Sequence, residues 1–151
     1  MRSKEEAGMT ITITRQSKTL ILFGAVLFLI GLCQGGLIPF FINSRMALSA
    51  HLAAVQSGMA LMIFGVIWTL VALPEKWLAR ALYSGIGSMY LIWFALTLAA
   101  ALGASNALPI AGAGYSSTLA QEWLVEGIVT LGAGLGIVSG LLVVIGLIKN
   151  K

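Results

Sequence analysis

The residues able to do chemistry in this 151-residue chain are few, and most lie toward one end of its apolar segments. His51 is the only histidine, inside NSRMALSAHLAAVQSGMAL, residues 43–61. An imidazole titrates near neutrality and binds metals through a ring nitrogen, so His51 could carry a proton or serve as the axial ligand of a metal or haem. Its plainer role is an interfacial histidine hydrogen-bonded to a neighbour such as Glu122 or Glu126. Those two glutamates are four apart and so share a helix face, where two carboxylates in a low dielectric repel and one could retain a proton. Glu122 could equally be a first-turn anion facing the positive end of a helix dipole. Glu126, one turn deeper, is too costly at membrane depth to be explained that way. Arg45 could hold a substrate or haem carboxylate, or meet lipid phosphate. Tyr90 needs a hydrogen-bond partner and is expected to face inward. Cys33 is the only cysteine, which excludes an intrachain disulfide and a Cys-based zinc site.

The elements that must position these groups are membrane helices. The chain is 59% hydrophobic and only 9% charged, with a mean hydropathy of +1.00, far from the roughly 25% charge of a soluble domain. A helix needs about 20 apolar residues to cross the hydrocarbon core, and four stretches qualify. They run from about Leu20 to Ile38, Ala50 to Leu73, Leu78 to Gly103 and Trp123 to Ile148. With no water available to the backbone, each is expected to be a helix, giving an all-α, integral membrane four-helix bundle. Residues 1–19 form a polar segment ahead of a single transmembrane domain, 20–151. No A-x-A-like cleavage site follows the first apolar run, so it reads as a retained span.

Basic residues resist translocation, and they are distributed unequally. Arg2, Lys4, Arg15 and Lys18 precede the first span, Lys76 and Arg80 join the second and third, and Lys149 and Lys151 follow the fourth; Arg45 alone lies opposite. Both termini are therefore expected in the cytoplasm, with the 43–50 loop and the long 104–122 loop outside, across an inner or plasma membrane if the cell is bacterial. The formal charge of +4 does not point to nucleic acid, because no Arg/Lys stripe interleaves with aromatics.

Small residues indicate which helix faces meet, since association in lipid depends on close backbone approach. Gly132, Gly136 and Gly140 repeat every four residues, as do Ser84 and Ser88, and Ala54 and Gly58. The helical neighbours of His51 are Ala54, Val55, Gly58, Met62 and Gly65, a small and adaptable stripe, so His51 is expected to point at protein. The outer half also holds Gln34, Gln56, Ser57, Gln121 and Tyr115.

SRMALSAHLAAVQSGMALMIFGVIW resembles the hydroxylaminobenzene mutases, small four-helix membrane proteins, and is more distantly similar to styrene-oxide isomerases. The opening Arg-Met-x-Leu-x-x-His-Leu, Arg45 to Leu52, is the most specific block, with looser support from YSGIGSMYLIW and LPIAGAGYSSTLAQEW. The resemblance implies an isomerase of small aromatic substrates that moves the hydroxyl of an aryl hydroxylamine to the ring, giving a 2-aminophenol. It also implies a homo-oligomer, a trimer by analogy, holding haem b through His51 with its iron acting as a Lewis acid. Arg45 would then contact the cofactor, and Tyr90, Glu122 and Glu126 are the candidates for stabilising charge on the ring. Ala53 and Ser57 stand where the mutase pattern has an acid and an amide, and Ile92 where it has an amide before Trp93. From a different class, the alternative is a non-catalytic membrane protein, either haem-binding or a packing or assembly subunit.

Overall fold

The computed structural model describes residues 13–150; Arg2, Lys4, Lys151 and most of the polar segment 1–19 lie outside the described residues. Four helices dominate: α1 (Arg15–Leu37), α2 (Ser44–Ile67), α3 (Glu75–Leu102) and α4 (Leu119–Lys149), with single 3-10 turns at Ile38–Phe40 and Trp68–Leu70. All four are long and apolar enough to cross a membrane, and no strand occurs among the described residues.

Each helix starts ahead of its apolar run, because caps set helix ends whereas hydropathy marks only the part in hydrocarbon. The Thr14 hydroxyl accepts from Ser17 N at 3.1 Å, starting α1 at Arg15. Asn43 Oδ1 accepts from Met46 N at 3.0 Å. This corrects the expected 43–50 loop: those residues are the first turns of α2, and Arg45 is helical. Thr118 and Gln121 form a reciprocal capping box that starts α4 at Leu119. At the far end of α3, Gly103 adopts φ 72°, a left-handed stop.

The helices pack in chain order, α1 on α2, α2 on α3 and α3 on α4, with slight contact between α1 and α3 and, among the described residues, no comparable seam joining α1 to α4. Glycines set the α1–α2 seam. A Cβ on Gly58 would stand 2.6 Å from Phe28 N, and one on Gly31 2.9 Å from the Ala54 Cβ. Here only backbone fits, so the two helices touch directly. On the α3–α4 seam, Ser88 Oγ donates to Gly132 O at 2.7 Å, and Ser139 Oγ to Ala81 O at 2.8 Å. The expected three-glycine face of α4 is only partly used. Gly132 and Gly136 meet α3, but nothing among the described residues lies within 4 Å of a Cβ on Gly140.

Two apolar clusters fill the interior, one around Leu27, Leu61 and Trp68, the other around Met46, Ala50, Ala99 and Val125. The perimeter is apolar as well: Leu22, Leu29, Ile63, Leu131, Ile137 and Leu141 are all exposed. Such an outer surface suits lipid, and with four spanning helices it makes this a multi-pass membrane protein.

Candidate functional site

His51 sits two turns into α2, half-buried, with its ring against α1. Its Nδ1 lies 2.7 Å from Gly31 O. A carbonyl oxygen can only accept, so Nδ1 carries the proton, and in the neutral ring Nε2 keeps its lone pair. Glycine permits this approach: a Cβ on Gly35 would stand 3.0 Å from Cε1 and 3.1 Å from Nδ1. The ring is thus set on backbone by Gly35 and oriented by Gly31. Nε2 has no hydrogen-bond partner among the described residues. The expected bond from His51 to Glu122 or Glu126 is not formed, because the imidazole turns toward α1, where two glycines leave room for it.

Glu122 and Glu126 are separated by the packing of α4. Residues four apart on a helix are rotated by about 40°, and here that places Glu122 inside and Glu126 on the exposed surface. Glu122 is 5% exposed. Its carboxylate accepts from Ser105 N at 3.0 Å, Asn106 N at 2.9 Å, and Ser117 N and Oγ at 3.2 and 3.0 Å. It therefore ties both ends of the loop between α3 and α4 to the first turn of α4. Glu126 does not share an interior with His51 in one chain, nor a buried face with Glu122 as their spacing led one to expect.

Arg45 is exposed, and its guanidinium donates to Ala113 O, so it too holds the loop. Beside it an open cleft of about 560 Å³ runs between Arg45, Leu48, Ser49 and loop residues 107–111. Tyr90 faces inward as expected, and its hydroxyl donates to Phe23 O at 2.9 Å. Phe23 precedes Gly31 by eight residues on α1, about 12 Å along the axis at 1.5 Å per residue. Tyr90 and His51 thus engage α1 at different levels. Of the five candidate residues, none of the other four is brought against His51 within one chain.

Two polar assemblies escaped the sequence reading. Asn43 is fully buried; besides capping α2, its Nδ2 donates to Ala111 O at 2.9 Å, and its backbone N to Ala100 O at 3.0 Å. Gln34 is 5% exposed: its Oε1 accepts from Trp93 Nε1 at 2.7 Å, and its Nε2 donates to Thr97 Oγ1 at 3.0 Å. An amide and an indole in apolar spans both signal a need for partners. Their pairing across 59 residues has no local signature.

Comparison with known proteins places this geometry in context. The family model for styrene oxide isomerase matches residues 16–150. The hydroxylaminobenzene mutase HabB of Ectopseudomonas oleovorans is 36% identical over 110 residues, covering 72% of this chain and 67% of that protein. HabA of the same organism is 38% identical over 103 residues, covering 68% and 76%. No solved structure matches.

Proposed function

The chain belongs to the styrene oxide isomerase family, and from that premise we propose that it rearranges a small aromatic substrate, moving the hydroxyl of an aryl hydroxylamine from nitrogen to the ring to give a 2-aminophenol. It is an isomerase-type enzyme. The rearrangement is redox-neutral overall: the N–O bond breaks, a ring C–O bond forms, and the ring proton lost to restore aromaticity is balanced by one gained at nitrogen, giving the NH₂ of the product.

The observation that carries the reading is the state of His51. Donation of Nδ1–H to Gly31 O fixes the tautomer, leaves the Nε2 lone pair available, and is the outer-shell bond that ligating histidines commonly make. Among the described residues no cluster of three or more His, Cys, Asp or Glu could hold a metal ion. A metal on His51 would have to bring most of its other ligands, which a haem does. A haem b would be held by His51, with Arg45, six residues toward the loop end, as partner for a cofactor carboxylate. When bound, such an iron supplies Lewis acidity toward the substrate oxygen.

The remaining roles follow from position. Glu122 orders the outer loop, Tyr90 braces α1 against α3, and Glu126 is the carboxylate left free to face developing positive charge. His51 and Glu126 each lie seven residues from the start of their helices, Ser44 and Leu119, about 10 Å along the axis by the helical rise. Glu126 is exposed and not bonded to His51 within one chain, which supports a homo-oligomer that completes the site between copies, a trimer by analogy. Arg15, Lys18, Lys76, Arg80 and Lys149 crowd the opposite end from Arg45, which supports termini in the cytoplasm and an inner or plasma membrane location.

Two measurements test the reading. Detergent-purified protein should show a Soret band that His51→Ala abolishes without loss of folded helix; a colourless folded protein refutes the haem. Phenylhydroxylamine incubated with membranes should yield 2-aminophenol with no added cofactor, and unchanged substrate refutes the isomerase assignment to this substrate class.

A further inference from the structure

At the end of the bundle opposite Arg45, the start of α1 meets the segment that links α2 to α3. A cleft of about 430 Å³ lies there, walled by Arg15 and Gln16 on one side and by Trp68, Thr69, Val71 and Leu78 on the other. Its walls are fixed to one another. Trp68 Nε1 donates to Gln16 Oε1 at 2.8 Å, and Ala72 N, just past the turn, donates to Gly146 O at 3.0 Å, so α1 and α4 both hold the linking segment. The lining is divided by character. Arg15 and Thr69 are exposed at the rim, whereas Trp68 and Val71 are buried and present carbon.

Charge and level both point to the occupant. Among the described residues this end of the bundle carries Arg15, Lys18, Lys76, Arg80 and Lys149, with Glu75 as its one carboxylate side chain. An anion is therefore drawn to this end. Trp77 is exposed, with the Arg80 guanidinium 4.5 Å above its ring, and an amphipathic indole of this kind belongs at the headgroup level of a bilayer. Leu78 of the cleft follows it directly, so the cleft opens where lipid phosphates lie. A guanidinium matches a phosphate with paired N–H donors. The apolar walls call for hydrocarbon attached to that anion. Free phosphate lacks the hydrocarbon, and a zwitterionic lipid carries a cation of its own that opposes Arg15.

We propose that this cleft is a binding site for an anionic phospholipid, its phosphate paired with Arg15 and its first acyl carbons against Val71 and Leu78. The site is independent of the reaction assigned to the chain, because His51, Arg45, Tyr90, Glu122 and Glu126 do not line it.

Native mass spectrometry of the full-length protein in non-ionic detergent tests this, with phosphatidylglycerol or phosphatidylcholine of the same acyl chains titrated in. Phosphatidylglycerol should be retained in preference to phosphatidylcholine. Arg15→Gln, at an exposed position that leaves the fold intact, should reduce that preference about fivefold, the factor expected for one basic residue at a lipid surface. Lys76→Gln removes the same charge from this end, but two residues before Leu78 it stands about 200° around α3 from the cleft. It should change the preference by less than about twofold, because a charge outside the cleft is screened. Thr69→Trp, which fills the rim without altering charge, should also lower retention of phosphatidylglycerol. Equal retention of the two lipids, or equal losses in Arg15→Gln and Lys76→Gln, overturns the proposal in favour of a diffuse basic surface. Displacement of the lipid by an equal concentration of glycerol 3-phosphate overturns it in favour of a site for free phosphate.

Discussion

Replacing Glu122 with glutamine keeps the side-chain shape and removes the charge that clasps the loop between α3 and α4. Four donors converge on the carboxylate: the amides of Ser105, Asn106 and Ser117, and the Ser117 hydroxyl. A glutamine can turn its one oxygen toward Ser105 and Ser117, but its NH₂ then meets the Asn106 amide donor to donor. One charge-assisted bond is lost and the remaining ones become neutral. With hydrogen bonds to charged groups worth about 1.5–3 kcal/mol and neutral ones about 0.5–1.5, the loop should be destabilised by about 3 kcal/mol. That is roughly a hundredfold in its opening equilibrium, at tenfold per 1.4 kcal/mol. Hydrogen exchange in detergent should therefore quicken about a hundredfold at Ser105 and Asn106, while α1 and the α1–α2 seam keep their protection. Ser117→Ala, which removes only the hydroxyl bond, should quicken exchange by about tenfold or less. Unchanged protection at Ser105 and Asn106 in a folded Glu122→Gln protein would refute the clasp.

The other predictions follow from single contacts. Tyr90→Phe removes the bond to Phe23 O and should lower stability by about 1 kcal/mol. Turnover per folded molecule should stay well short of the roughly 10²–10³ loss expected for a group that stabilises transition-state charge; a loss of that size on steady-state kinetics would make Tyr90 catalytic. Gly58→Ala places a methyl 2.6 Å from Phe28 N and 2.7 Å from Gly24 O, so thermal melts should show destabilisation of about 1–3 kcal/mol from overpacking. Gly140→Ala, with nothing among the described residues within 4 Å, should cost a single chain nothing, and a drop in melting temperature there would reveal packing between copies. Gly35→Ala puts its Cβ 3.0 Å from His51 Cε1, displacing the ring from Gly31 O, and should weaken any ligand held at Nε2; an unaltered absorption spectrum would show that this cradle does not position the imidazole.

The sequence alone determined what the membrane dictates. Lipid leaves the backbone no partner except itself, so four apolar runs of sufficient length had to be four helices. The stripe beside His51 placed it against protein, and the Ala54–Gly58 spacing identified a packing face, because helical periodicity carries side-chain direction. Caps moved the helix starts outward, since Thr14, Asn43 and Thr118 act through hydrogen bonds that a hydropathy count does not register. Which polar groups met was decided only in three dimensions. His51 took a backbone carbonyl twenty residues away instead of a glutamate, because Gly31 and Gly35 leave a gap where its ring fits. Glu122 and Glu126 read as one face, yet the rotation between them straddles the edge of the α4 packing, so one is buried among loop amides and the other is exposed. Gln34 and Trp93 found each other by the juxtaposition of α1 and α3. Periodicity fixes direction about one helix axis, but the rotation of each helix against its neighbours is set by the close packing of small residues, and that rotation decides which polar atoms share a site.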